Sequence, residues 1–185
     1  MCIFDIDNTL THGADAKKVC PTTVFIDDPP PHWPPTGGTT QTVKDAIKKC
    51  QQQGYGIAIA TAENASQFDT SSQHKFIKSL MPDIDFKKPN FQESCTIITS
   101  RDQKNQLYCK SNEFKDKTAM YINIMNYNNI PPNEWKNSIV FDDALSNLTT
   151  AGGLGFKVCQ ASPQCGGVYC SSGCALPPHC LDVIT

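Results

Sequence analysis

The sequence predicts an α/β fold: a three-layer, Rossmann-like parallel sheet with small flap or hairpin insertions and a cysteine-rich C-terminal tail. Three observations predict it. Short, β-rich apolar runs alternate with segments of helical periodicity, the pattern of a parallel sheet covered on both faces. Three of those runs finish in polar residues suited to one site: Asp5, Thr61 and Asp142. The chain of 185 residues, 39% hydrophobic and 18% charged, suits one soluble domain with its own core.

Residues 2–5 read as a buried strand, because they are apolar up to Asp5. Residues 12–40 are expected to be irregular, with six prolines from Pro21 to Pro35. Within them Thr22–Ile26 reads as one arm of a hairpin, and residues 28–35 as a stiff proline-rich loop. Val43, Ala46, Ile47 and Cys50 recur at helical spacing, with Thr40 as cap and Gly54 as stop. Ile57–Thr61 follows as a buried strand. A helix around 65–80 is expected to bury Phe68, Phe76, Ile77 and Leu80, with a short strand at 83–86.

Cys95–Thr99 and Leu107–Cys109 read as strands joined by a polar turn. A helix around 117–128 carries Met120, Ile124 and Tyr127 on one face, and Ser138–Asp142 is the next buried strand. Asn147–Ala151 forms a short helix stopped by Gly152 and Gly153, and Gly155–Cys159 is the last strand. The predicted organisation is a main domain over 1–160, with 161–185 as a tail packed on or extending it.

Charge and composition narrow the function. A net charge of −2 argues against general nucleic-acid binding. Arg101 is the only arginine, so fork-like recognition of phosphate by arginine is nearly excluded. No apolar run reaches membrane-spanning length, and no signal peptide is visible. Ten cysteines are a heavy load, and the last five fall between Cys159 and Cys180 among Gly, Ser and Pro. Such a segment needs a staple. Disulfides are one reading, favouring an extracytoplasmic or particle-associated setting. A zinc site from Cys165, Cys170, Cys174 and Cys180, with His179, is a second, although the spacing lacks a paired CxxC. Free thiols in a reducing cytosol are the third. The Asn64 and Asn147 sequons adjoin the motifs below, where glycosylation is not expected.

The chemistry gathers at the strand ends. Asp5 and Asp7, two residues apart, can face one pocket where the first strand ends. Asp142 and Asp143 end a later strand, and Thr61 ends the strand between. Several acids in one pocket repel each other, and a hard divalent cation with oxygen ligands resolves that conflict. Paired carboxylates beside such a cation suit phosphoryl transfer, one as nucleophile and the other as proton shuttle. Which lysine completes the group is left open by position alone: Lys87, Lys88, Lys110, Lys115 and Lys117 are all candidates. His12, His32 and Trp33 are possible neighbours of the pocket mouth, and equally ordinary loop residues.

These motifs, Asp5-Ile6-Asp7-Asn8-Thr9, Thr61, Lys117 and Val140-Phe141-Asp142-Asp143-Ala144-Leu145-Ser146-Asn147, resemble those of the haloacid dehalogenase-like phosphatases, in order and strand-end placement. The resemblance covers roughly residues 2–160, and FDDxxxN resembles a variant of capless members. It implies that Asp5 attacks phosphorus, that Asp7 protonates the leaving oxygen and then activates water, and that Thr61 and Lys117, the latter with Lys115 as runner-up, bind the transferring group. It implies Mg²⁺ held by Asp5, the Asp7 backbone carbonyl and Asp142, with Asp143 in support. Asn147 reads as a local backbone partner. The stretch between Thr9 and Ile57 is too short for a large cap, so an open pocket is expected. Such a pocket suits a phosphorylated, even macromolecular, substrate, or closure by an assembly partner or a second copy. The expected function is a Mg²⁺-dependent phosphatase. Its rivals are a structural or binding component of an extracellular or virion assembly, derived from the same fold, and a phosphotransferase.

Overall fold

The computed structural model of the protein describes residues 1–26, 38–62, 72–93, 117–165 and 170–185. The proline-rich loop, Phe68, the strands expected at Cys95–Thr99 and Leu107–Cys109, and Lys110 and Lys115 lie outside the described residues.

Five strands form one parallel sheet: β1 (Cys2–Phe4), β4 (Ile57–Ala60), β5 (Phe91–Gln92), β6 (Ile139–Asp142) and β7 (Lys157–Gln160), in the order β5-β4-β1-β6-β7. A two-stranded antiparallel ribbon, β2 (Phe25–Ile26) with β3 (Thr39–Thr40), stands apart from it. This is the hairpin that the sequence predicts at its first arm.

The period-two alternation of each strand decides which layer it feeds. Cys2, Phe4, Ile59, Ile139 and Phe141 point to one face, where α2 (Gln41–Gln52) and α3 (Ser72–Leu80) cover them. Ile3, Ala58, Ala60 and Val140 point to the other, under α4 (Thr118–Tyr127) and α5 (Leu145–Gly153). Helix α2 forms as expected: Thr40 caps it by accepting from the Val43 N–H, and Val43, Ala46, Ile47 and Cys50 are its buried stripe. Gly54 follows with φ +78°, a left-handed turn that glycine adopts without steric cost.

Several expectations need correction. Residues 83–86 form turn rather than strand, and the edge strand is Phe91–Gln92. Asp83-Ile84-Asp85-Phe86 alternates as a strand would but pairs with no strand among the described residues, whereas Phe91 pairs with Ile59 and buries its ring against Phe86 and His74. Helix α4 buries Met120, Tyr121, Ile124 and Met125, and leaves Tyr127 exposed. The buried face runs through these two adjacent pairs, one turn apart, and Tyr127 falls outside it. Gly152 and Gly153 lie inside the last turn of α5, and the reversal falls at Gly155, with φ +98°. A four-residue helix α1 (Ala16–Val19) sits in the stretch read as irregular.

The tail is not a loose appendage. Ala175, Leu176, Cys180 and Ile184 are buried in the same core as Phe4 and Phe141. Four disulfides join the eight described cysteines: Cys2–Cys50, Cys20–Cys174, Cys159–Cys180 and Cys165–Cys170. They fasten α2 to the central strand and the tail to both α1 and β7. The four cysteines of the zinc alternative, Cys165, Cys170, Cys174 and Cys180, are all taken up in these disulfides. Cys159, Cys180 and His179 do lie close together, but both sulfurs are bonded to each other. Among the described residues no helix is long and apolar enough to cross a membrane.

Candidate active site

Strand order creates the site. From β1 the chain winds outward through β4 to β5, then returns to the other side of β1 and runs through β6 to β7. The winding reverses between β1 and β6, and ligands of open parallel sheets bind beyond the strand ends at such a switch point. The two strands at that point carry Asp5 and Asp142. Their register is set by Phe4 opposite Phe141, with rings stacked at 4.7 Å. The Asp5 N–H then donates to the Phe141 carbonyl at 2.9 Å, so Asp5 leaves the sheet beside Asp142.

Beyond Asp5 the chain curls tightly. The N–H groups of Thr9, Leu10 and Thr11 all donate to the Ile6 carbonyl. Asn8 takes a left-handed conformation at φ +56°, which Asn tolerates better than most residues. Asp7 lies in this curl, half-buried and near enough for its charge to act on Asp5.

Lys117, at the N-terminal end of α4, is buried and joins the two strands. Its ammonium donates to Asp5 Oδ1 and to Asp142 Oδ2, each at 2.7 Å. Asp142 is further held by the Ala144 N–H at 2.9 Å and by the Asn147 amide at 3.0 and 3.2 Å to its two oxygens. Asn147 therefore orients a carboxylate, not the local backbone as its position had implied. Asp143 completes the cluster: carboxylate oxygens of Asp5, Asp142 and Asp143 all lie within 4.8 Å of one another.

The electrostatics follow from burial. Burial raises the Asp5 carboxyl well above the usual range; Lys117 pulls it down, and Asp142, Asp143 and Asp7 push it up again. Burial and the Asp142 charge raise Asp143 to about 6, against the opposing pull of Lys117 and a hydrogen bond from Asn8. Burial alone would discharge Lys117, but Asp142 and Asp5 outweigh it and hold the ammonium above the ordinary lysine value. One ammonium among three carboxylates leaves surplus negative charge in a sparsely hydrated place. That donor set, all hard oxygen, fits a divalent cation of the Mg²⁺ type at Asp5, Asp142 and Asp143.

The other expected residues fall as follows. Thr61 is buried at the end of β4, the strand on the other flank of β1, and its N–H donates to Gln92. Lys87 and Lys88 are exposed in the turn after α3, away from these strand ends. His12 is buried against Phe25 and bonds the Gly13 carbonyl, which makes it part of the loop's packing. His32 and Trp33 lie outside the described residues. The residue that sequence reasoning missed is Asn8. It sits between the two acids and the threonine of the first motif, and a signal existed: an Asn just after a strand-ending acid pair favours the left-handed turn found there.

No protein-family model matches the chain, and no curated protein matches it.

Proposed function

We propose that the protein is a Mg²⁺-dependent phosphomonoester hydrolase of the haloacid dehalogenase-like class, working through an aspartyl-phosphate on Asp5. The observation that carries this reading is the convergence of Asp5, Asp142 and Asp143 on one point, with Lys117 bridging two of them. An isolated buried acid cluster is costly, and so large a concentration of charge marks a functional site more often than a structural one. The parallel sheet, its switch point and the Lys117 position agree with the motif resemblance.

Asp5, Asp142 and Asp143, with the Asp7 carbonyl, would hold the cation. When bound it supplies charge neutralisation on the phosphoryl oxygens and keeps the neighbouring carboxylates ionised. The chain's own residues do the rest. An Asp5 carboxylate oxygen attacks phosphorus as the bond to the leaving oxygen breaks, and Asp7 donates its proton to that oxygen. Lys117 and Thr61 bind the equatorial oxygens, where transition-state charge is spread. Asp7, now ionised, takes a proton from water as it attacks phosphorus, releasing phosphate and restoring Asp5. Asn147 fixes the Asp142 carboxylate for this work.

Residues 161–185 are read as an extension of the same domain. An open pocket makes a phosphorylated macromolecule the expected substrate class, and four disulfides among the described residues accord with an oxidising, extracytoplasmic location. Hydrolysis of an aryl phosphate with Mg²⁺ tests the proposal. Turnover should vanish on chelation and in Asp5→Asn; equal turnover by wild type and Asp5→Asn defeats it.

A further inference from the structure

Among the described residues, left-handed backbone gathers where the tail meets the acidic loop. Four described non-glycine residues have positive φ, and one of them, Ser162, bonds two others, Asn8 and Ala175. The Ser162 hydroxyl donates to the Asn8 carbonyl at 2.7 Å and accepts from the Ala175 N–H at 2.9 Å. The Ser162 N–H donates to the Ala175 carbonyl at 2.9 Å. Left-handed non-glycine residues cost free energy and persist where surrounding contacts hold them.

Gly173 closes the arrangement. A Cβ at that position would lie 2.2 Å from Asn8 Oδ1 and 2.7 Å from its Cγ. Asn8 is buried, its Oδ1 has no hydrogen-bond partner among the described residues, and its side chain acts as a hydrogen-bonding neighbour of the Asp143 carboxyl. Gly173 also accepts from the Gly13 N–H at 2.8 Å, and Ser171 from the Asp15 N–H at 2.7 Å. Cys174, next in sequence, is bonded to Cys20 at the end of α1. The 170–175 segment is thus pinned along residues 13–20, just beyond the first acidic motif.

We propose that Asn8 is a positioning residue of the acidic site, and that the cysteine-rich tail is the clamp that sets it. Gly173 and Ser162 fix the Asn8 side chain and carbonyl, Asn8 fixes the Asp143 carboxylate, and the Cys20–Cys174 bond keeps the clamp closed. This rests on the reading that Asp5, Asp142 and Asp143 bind a divalent cation. Partners that orient metal ligands typically contribute 10–100-fold to affinity.

The test is Mn²⁺ binding, by calorimetry and by the electron-spin resonance of free Mn²⁺, to the full disulfide-bonded chain. Asn8→Gly removes the amide while keeping a residue at ease at positive φ. Gly173→Ala pushes on the amide without touching an acid. Each should weaken Mn²⁺ binding about tenfold or more, with the disulfides intact and the circular dichroism unchanged. The double variant should bind no more weakly than Asn8→Gly alone, because the alanine then meets no side chain; two independent structural defects would add. If Gly173→Ala does not fold, Asn8→Gly and Cys20→Ser/Cys174→Ser carry the test, and both should weaken binding. Wild-type affinity in any of these folded variants overturns the clamp and leaves the metal-site reading standing. No Mn²⁺ binding by the wild-type protein overturns both.

Discussion

Asp5 and Asp142 leave adjacent parallel strands one step beyond the stacked Phe4–Phe141 pair, and their carboxylates share a single ammonium. Residues far apart in sequence are thereby brought into one charge cluster by strand register alone. A slip of one residue would turn every side chain of that strand to the opposite face. The aromatic pair therefore protects the chemistry as well as the core.

Lys117→Met should reveal how much the cluster depends on that ammonium. It leaves Asp5 and Asp142 buried without their cation, a change that costs about 3–5 kcal/mol. Urea unfolding at neutral pH without divalent cations should show the loss, and saturating Mg²⁺ should restore part of it. Phosphatase turnover should fall to the Asp5→Asn level even where the fold is recovered.

Asp143 predicts a pH dependence of the metal-free protein. Its carboxyl is raised from the ordinary value to about 6, so the folded chain holds a proton that the unfolded chain has already released. Its contribution to stability is present below the unfolded value and is lost as pH rises through about 6. Chemical denaturation across pH 4–7 should show that decline in wild type, and a flatter profile in Asp143→Asn. Mg²⁺ affinity should move the opposite way, strengthening as pH rises through the same window.

Asn147→Ala tests the support of Asp142. The amide bonds both carboxylate oxygens, and its loss leaves the Ala144 N–H and Lys117 to hold Asp142. Mg²⁺ affinity should drop about tenfold, with the melting temperature little changed because Asn147 is only partly buried. Calorimetric titration with Mg²⁺ measures it.

Cys159→Ser with Cys180→Ser should destabilise the chain by about 3 kcal/mol, the loop-closure contribution for a crosslink of this span. The bond joins the last strand to the end of the tail, within the core that holds Phe4 and Phe141, and neither cysteine touches a carboxylate of the cluster in a hydrogen bond. Denaturant midpoints should shift, while Mg²⁺ affinity of the remaining folded protein stays at the wild-type value.

Much of this was legible in the sequence, for physical reasons that differ by element. Cys2–Phe4, Ile57–Ala60 and Ile139–Asp142 are buried on both faces, so each reads as an unbroken apolar run whose polar end marks the sheet edge. The stripe Val43–Cys50 has only one buried face, and its period is plain. The edge strand at Phe91–Gln92 was not legible, because two residues carry no period and pairing with β4 decides them. The acids could be nominated from strand-end position and Lys117 from the motif resemblance at the start of α4, but their contact depends on register. The left-handed turn at Asn8 had a local signal, but its contact with Gly173 did not: that packing joins two segments far apart in sequence, and disulfide connectivity cannot be read from cysteine spacing.

The most direct measurement is anomalous diffraction from crystals of the wild-type protein grown with Mn²⁺. The account predicts one strong peak at ligand distance from Asp5, Asp142 and Asp143, with Lys117 alongside, and no such peak in Asp142→Asn. A wild-type map without that peak, the three carboxylates holding only Lys117 and water, would contradict it.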